Sequence, residues 1–182
     1  MRLFVGIVPP PEAISHAAGA VDRIASTTPD MRWVPSERWH LTLAFLGEVD
    51  PDRVPEITSR LDEVATSPIR GLLLAGSGTF PGVVWLGVGG GAAESRLGSL
   101  ADAVRREMRQ AGTGIEARLW QPHVTVGRWR PSPRREKAAR AAARSLADYT
   151  GPKFDVEEIR LVHSVTGPTP TYTDIHVSRL VD

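Results

Sequence analysis

Two short stretches decide the reading of this chain: Trp39-His40-Leu41-Thr42-Leu43 and Pro122-His123-Val124-Thr125-Val126. Both run His, apolar, Thr, apolar. Successive side chains of a β-strand point to opposite faces, so His and Thr at i and i+2 share one face while the apolar pair enters a core on the other. Each stretch sets an imidazole and a hydroxyl side by side on a rigid support. In a chain of 182 residues with five histidines, chance supplies this pattern roughly 0.06 times, so two copies are a signal.

The remaining histidines lack the pattern. His16 falls on a helix with no polar partner at useful spacing, His163 begins His-Ser-Val-Thr with its Thr one position out of phase, and in His176-Val177-Ser178 the second apolar residue is replaced by Arg179. These three are expected to be structural or superficial.

Outward from the motifs, the elements alternate. Arg2 to Val8 reads as a buried strand and Pro11 to about Ser26 as a helix with Pro at its start and Ile14, Ala18, Val21 and Ile24 on its apolar face. Short strands over Met31–Val34 and Trp39–Leu46 precede a helix opened by Asp50-Pro51. The second half repeats the grammar: strands over Arg70–Ala75 and Val83–Val88 around a Gly-rich turn, a helix ended by Gly112, a strand from Pro122 to Gly127, and an Ala-rich helix opened by Ser132-Pro133. Strands near Phe154–Ser164 and Tyr172–Leu180 close the chain. Strands interleaved with helices in this way predict an α+β or α/β sandwich with helices outside a sheet.

Composition narrows the chemistry. Lys plus Arg number 22 against 21 Asp plus Glu, and there is no cysteine. That excludes a disulfide framework, a thiolate nucleophile and every Cys-ligated metal site. The Gly89-Gly90-Gly91 run lacks the lysine and hydroxyl of a phosphate-cradling loop, and the histidines lack the close spacing of a His-only zinc site. The N-terminal MRLFVGIVPPP is too short for a signal core and no later run approaches a membrane span, so a cytoplasmic protein is expected, with no membrane partner. Although the whole chain is near neutral, six arginines and Lys137 fall between Arg128 and Arg144 against Glu136 alone. A local patch of that kind suits phosphate.

Two histidines with hydroxyl neighbours fit in-line displacement at phosphorus. One neutral imidazole takes a proton from water while a protonated one gives a proton to the leaving oxygen. The threonine hydroxyls donate to the non-bridging oxygens, where negative charge concentrates.

The whole chain resembles the bacterial and archaeal RNA 2′,3′-cyclic phosphodiesterases, historically called 2′-5′ RNA ligases, of the two-histidine phosphoesterase superfamily. The resemblance is carried by MRLFVGI (1–7), RWVPSERWHLTLAFLGEV (32–49), GSGTFPGVVWLGV (76–88), PHVTVGRWR (122–130) and GPTPTYT (167–173). It implies one bilobal α+β domain over residues 1–182, with pseudo-twofold duplicated antiparallel sheets, outer helices and a central cleft to which each half brings one motif. It implies hydrolysis of RNA 2′,3′-cyclic phosphate ends to 2′-phosphomonoesters with no cofactor and no metal, with His40 as proton donor and His123 as proton acceptor. A monomer is expected.

Around the pair, Arg128 matches the usual family arginine, Arg130 would share its strand face if the strand continues, and Phe80, in a loop, could stack on a base. The tryptophans at 33, 39, 85, 120 and 129 read as core. Ala44 departs from the family, whose members usually carry a basic residue there. Two rival readings stay open: a hydrolase for a small cyclic phosphate of the ADP-ribose type, and a non-catalytic module that binds RNA ends.

Overall fold

The apolar residues of the two motifs do enter a core: Leu41, Leu43, Val124 and Val126 are each at most 2% exposed, while His40, Thr42, His123 and Thr125 are half-buried. A computed structural model describes every residue except 30, 65, 116–118, 131, 168 and 182, so Pro168 of the GPTPTYT stretch lies outside the described residues. In chain order the strands are β1 (Arg2–Ile7), β2 (Arg32–Trp33), β3 (Leu41–Glu48), β4 (Ile69–Phe80), β5 (Val83–Gly89), β6 (His123–Arg128), β7 (Phe154–Val156), β8 (Glu158–Val165) and β9 (Thr171–Arg179). The helices are α1 (Pro11–Ala25), α2 (Val54–Asp62), α3 (Ala92–Gln110) and α4 (Pro133–Ser145).

Local chemistry fixes the helix ends. Pro11 and Pro133 open α1 and α4, where a missing N–H costs nothing. The Ser132 hydroxyl accepts from the Arg135 N–H to cap α4. Gly112 ends α3 at φ +67°, with its N–H on the Arg109 carbonyl and the Thr113 N–H on the Met108 carbonyl. That pair of bonds satisfies carbonyls the helix itself leaves unpaired.

The strands form one antiparallel path in the order β7-β4-β5-β6-β3-β1-β8-β9, with β2 on β6. The path has two comparable halves. Each runs strand, helix, strand, helix: β1-α1-β3-α2 with β8 and β9 added outside β1, and β5-α3-β6-α4 with β4 and β7 added outside β5. The halves meet where β3 pairs β6 through Leu41 and Val124, the residue between His and Thr in each motif. The pseudo-twofold relation therefore brings the two His-x-Thr faces together at the centre of a curled sheet. Packed behind them are Leu72, Leu74, Leu86, Leu97, Leu100 and Val104, all at most 1% exposed.

The halves also share an irregularity. Thr42 pairs Gly6 and Ala44 pairs Val5, which skips Leu43; Thr125 pairs Trp85 and Gly127 pairs Val84, which skips Val126. A bulge thus follows each threonine. Such an extra residue breaks the in-out alternation and bends the strand, and it turns Ala44 into the core at 2% exposure.

Candidate active site

His40 sits between the 3₁₀ turn Ser36–Arg38 and β3, and His123 is the first residue of β6. The two rings are held in the same way. His40 Nδ1 lies 2.8 Å from the Arg38 carbonyl and His123 Nδ1 2.7 Å from the Gln121 carbonyl, each two residues back along the chain. A carbonyl only accepts, so Nδ1 carries the proton in both rings and Nε2 is the nitrogen left for chemistry.

A cleft of about 680 Å³ opens over these groups. His40, Thr42, His123, Thr125, Arg128 and Phe80 all line it, as do Tyr172, Trp120, Arg38 and Arg105. Arg130 is not among the lining residues. β6 ends at Arg128, so the alternation that would have carried Arg130 onto the same face stops before it, and Arg130 is exposed beyond the strand. Phe80 is half-buried and closes β4 rather than sitting in a loop, with its ring edge-on to His123 at 5.0 Å.

The surroundings of the two imidazoles differ. Phe4 stacks on His40 with centroids 4.6 Å apart and planes at 24°, and Tyr172 meets the same ring edge-on at 5.0 Å. His123 instead has Phe80 edge-on and Trp85 at 6.3 Å. Gly6 opposite Thr42 and Trp85 opposite Thr125 hold equivalent places in the two halves. A Cβ at Gly6 would come 2.9 Å from the Leu41 carbonyl oxygen and 3.2 Å from the Phe4 ring, so glycine there lets β3 approach and leaves Phe4 room to lie against His40. Burial, first of all, holds His40 below the ordinary imidazole range. The bond to the Arg38 carbonyl opposes this, and the charges of Arg128 and His123 add to it. Arg128, placed by sequence beside the second motif, is thus felt electrostatically by the first.

Phe4, Tyr172 and Trp120 carry site geometry that the motifs do not announce. The Trp120 indole N–H donates to the Thr42 carbonyl at 2.9 Å and its ring lines the cleft, so this tryptophan is more than core. Tyr172 and Phe4 both lie in stretches that carry the family resemblance, GPTPTYT and MRLFVGI. Neither stretch announces a contact with His40; for Phe4 it is the β1–β3 pairing that makes it. The other histidines lie outside the cleft lining: His16 Nδ1 is 2.9 Å from the Tyr149 hydroxyl, His176 Nε2 is 2.7 Å from Asp62, and His163 is half-buried in β8. Among the described residues no group of three His, Cys, Asp or Glu side chains is placed to hold a metal ion, and no helix is long and apolar enough to cross a membrane.

Two pinned imidazoles and two hydroxyls thus converge from the two halves of a curled antiparallel sheet in an α+β fold. The chain belongs to the 2′-5′ RNA ligase superfamily, whose family model matches residues 9–168. It is 35% identical to the RNA 2′,3′-cyclic phosphodiesterase of Aeropyrum pernix over 90% of this chain and 94% of that protein. It is 30% identical to the protein of the same name from Archaeoglobus fulgidus over 97% of this chain and 99% of that one. Among solved structures, TT0787 of Thermus thermophilus aligns with a TM-score of 0.76 at 26% identity over 99% of this chain and 98% of that one. E. coli LigT complexed with 3′-AMP shares the fold at a TM-score of 0.76 and 23% identity, covering 100% of this chain and 98% of that chain.

Proposed function

We propose that this protein is a metal-independent RNA 2′,3′-cyclic phosphodiesterase that leaves a 2′-phosphomonoester. The observation that carries the reading is the matched pair of imidazoles, each with Nδ1 on a carbonyl and a threonine beside it, facing one cleft. In the reaction, water attacks phosphorus on the side opposite O3′ and gives its proton to Nε2 of His123. The P–O3′ bond breaks and Nε2 of His40 protonates the departing O3′. The Thr42 and Thr125 hydroxyls donate to the non-bridging oxygens, and Arg128 supplies positive charge beside them. Solvent then exchanges the two protons and restores the pair. The histidines supply the acid and the base, so no step requires a metal ion. The relatives' names support an RNA end as substrate, and RNA as substrate is in keeping with a cytoplasmic protein. Every group in the scheme comes from one chain, in keeping with a monomer.

The roles of the two histidines follow the family resemblance. The burial of His40 favours the opposite reading, in which the readily neutral His40 is the base and His123 the donor, leaving a 3′-phosphate. In the scheme proposed here, the bound phosphodiester anion offsets the repulsion from Arg128 and restores the His40 proton in the substrate complex. Phosphorus NMR of the product from a cyclic-phosphate-ended oligonucleotide, in EDTA, separates the two. A 2′-phosphate is expected; a 3′-phosphate means that the roles or the substrate orientation are reversed, and no turnover leaves a binding module.

A further inference from the structure

The seam between the two halves is narrow. β3 and β6 are in register at one pair, Leu41 with Val124, and both residues stand at the start of their strands. Antiparallel strands that meet at their starts run away from each other, so past this pair each strand lies beside the segment that leads into the other motif. β6 runs beside residues 34–39, ahead of His40, and β3 runs beside residues 120–122, ahead of His123.

Each approach segment is tied to the opposite strand. Val34 donates its N–H to the Val126 carbonyl at 2.9 Å, and the Trp39 indole N–H donates to the Val34 carbonyl at 2.9 Å. Just before them, β2 pairs Arg32 with Arg128 and Trp33 with Gly127. On the other side of the seam, the Trp120 indole N–H donates to the Thr42 carbonyl at 2.9 Å. The first tie is made of main chain. The second hangs on one side-chain N–H.

The same segments hold the imidazoles. Arg38, inside the first, offers its carbonyl to His40 Nδ1, and Gln121, next to Trp120, offers its carbonyl to His123 Nδ1. Trp120 therefore fixes where Gln121 sits relative to Thr42 and, through Gln121, where His123 sits relative to the first motif. In-line displacement needs that relation fixed, because each Nε2 must be within hydrogen-bond reach of its own oxygen, on opposite sides of phosphorus, at the same moment.

We infer that the Trp120 indole N–H sets the spacing between the two imidazoles, which makes Trp120 a positioning residue that acts through Thr42 and Gln121. The inference rests on the two-histidine reading of the cleft and adds to it the brace that holds acid and base at their separation. Spacing also sets how the pair titrates. Like charges repel more strongly the closer they stand, so the second proton binds a closely held pair at lower pH. The charge of His123 is among the causes that hold His40 low, and Arg128, the other charge acting on that ring, is untouched by a change at Trp120.

The test compares wild type with Trp120→Phe, which keeps an aromatic ring on the cleft wall and removes the N–H. Rates are measured on adenosine 2′,3′-cyclic phosphate, the histidines are titrated by NMR without substrate, and exchange of the Trp120 indole proton with solvent is followed in wild type. The expected result is about a tenfold loss of kcat with KM unchanged. The lower of the two histidine midpoints should rise while the upper stays, and the wild-type indole proton should exchange at least about tenfold more slowly than that of free tryptophan. A raised KM with kcat and midpoints unchanged overturns the inference and makes Trp120 a substrate contact. A lower melting temperature with rates and midpoints unchanged overturns it in favour of packing alone. An indole proton that exchanges as fast as free tryptophan overturns it whether or not the variant folds. A raised lower midpoint with no turnover by either protein upholds the brace and removes the cyclic-phosphodiesterase reading.

Discussion

The Phe4 ring lies flat against His40, with centroids 4.6 Å apart and planes at 24°, and Phe4 itself is 3% exposed and absent from the cleft wall. It acts on the reaction only through the imidazole. Phe4→Leu keeps the core filled but removes the flat face. Looser positioning of the ring is expected to lower kcat about tenfold, since small displacements of a reacting group are costly. It also admits water, so the limb of kcat/KM that lies below the ordinary histidine range should move up towards it. Loss of kcat with an unmoved limb would mean Phe4 only fills space.

The pH profile of the wild type follows from the same burial. His40 is held below its ordinary value of 6.5 in the free protein. One imidazole must be protonated and the other neutral in the same molecule, so kcat/KM should be bell-shaped, with one limb below pH 6.5 and both limbs belonging to the coupled pair. In the substrate complex the phosphate anion favours the imidazolium, and the limbs of kcat should lie higher than those of kcat/KM. Arg128→Gln removes a charge that depresses His40 and should shift the kcat/KM limb upward while raising KM. Limbs that both stay in place would contradict the coupling of Arg128 to His40.

Thr42→Ala and Thr125→Ala remove hydrogen bonds to phosphate oxygens but no proton carrier. Each should slow kcat by roughly one to three decades, less than loss of either histidine. Equal or larger losses, measured by single turnover, would contradict the roles given to them.

Gly112→Ala tests the end of α3, remote from the chemistry. At φ +67° a Cβ is strained, and it would stand 3.2 Å from the Arg53 guanidinium. A loss of about 1–2 kcal/mol in urea unfolding is expected, with kcat unchanged.

The alternation in the two motifs was legible because period-2 burial needs nothing but the local strand, and Leu41 and Val124 obey it. The helix ends at Pro11, Pro133 and Gly112 were legible for the same local reason. Two glycines misled. Gly76 and Gly78 suggest a turn, yet β4 runs through both to Phe80. A Cβ at Gly78 would collide with the Trp85 indole lying across it, and Gly76 at φ +64° gives its N–H to the Tyr149 carbonyl, so each serves packing or a kink within a strand. In α1 the buried stripe is Ala13, Ala17, Ala20 and Val21, with Ile14, Ala18 and Ile24 half-buried along its flank against the same core, because small side chains let the helix approach most closely. The aromatic setting of His40 came from strand pairing across sequence, which no local pattern encodes.

The most direct measurement of the central claim is the rate of cyclic-phosphate opening by wild type, His40→Ala, His123→Ala and the double variant, all in EDTA. Each single variant should lose about 10²- to 10⁴-fold in kcat with an intact fold. The double variant should lose far less than the product of the two, because an acid and a base acting in one step fail together. A single variant that turns over at the wild-type rate, or wild-type activity abolished by EDTA and restored by zinc, would contradict it.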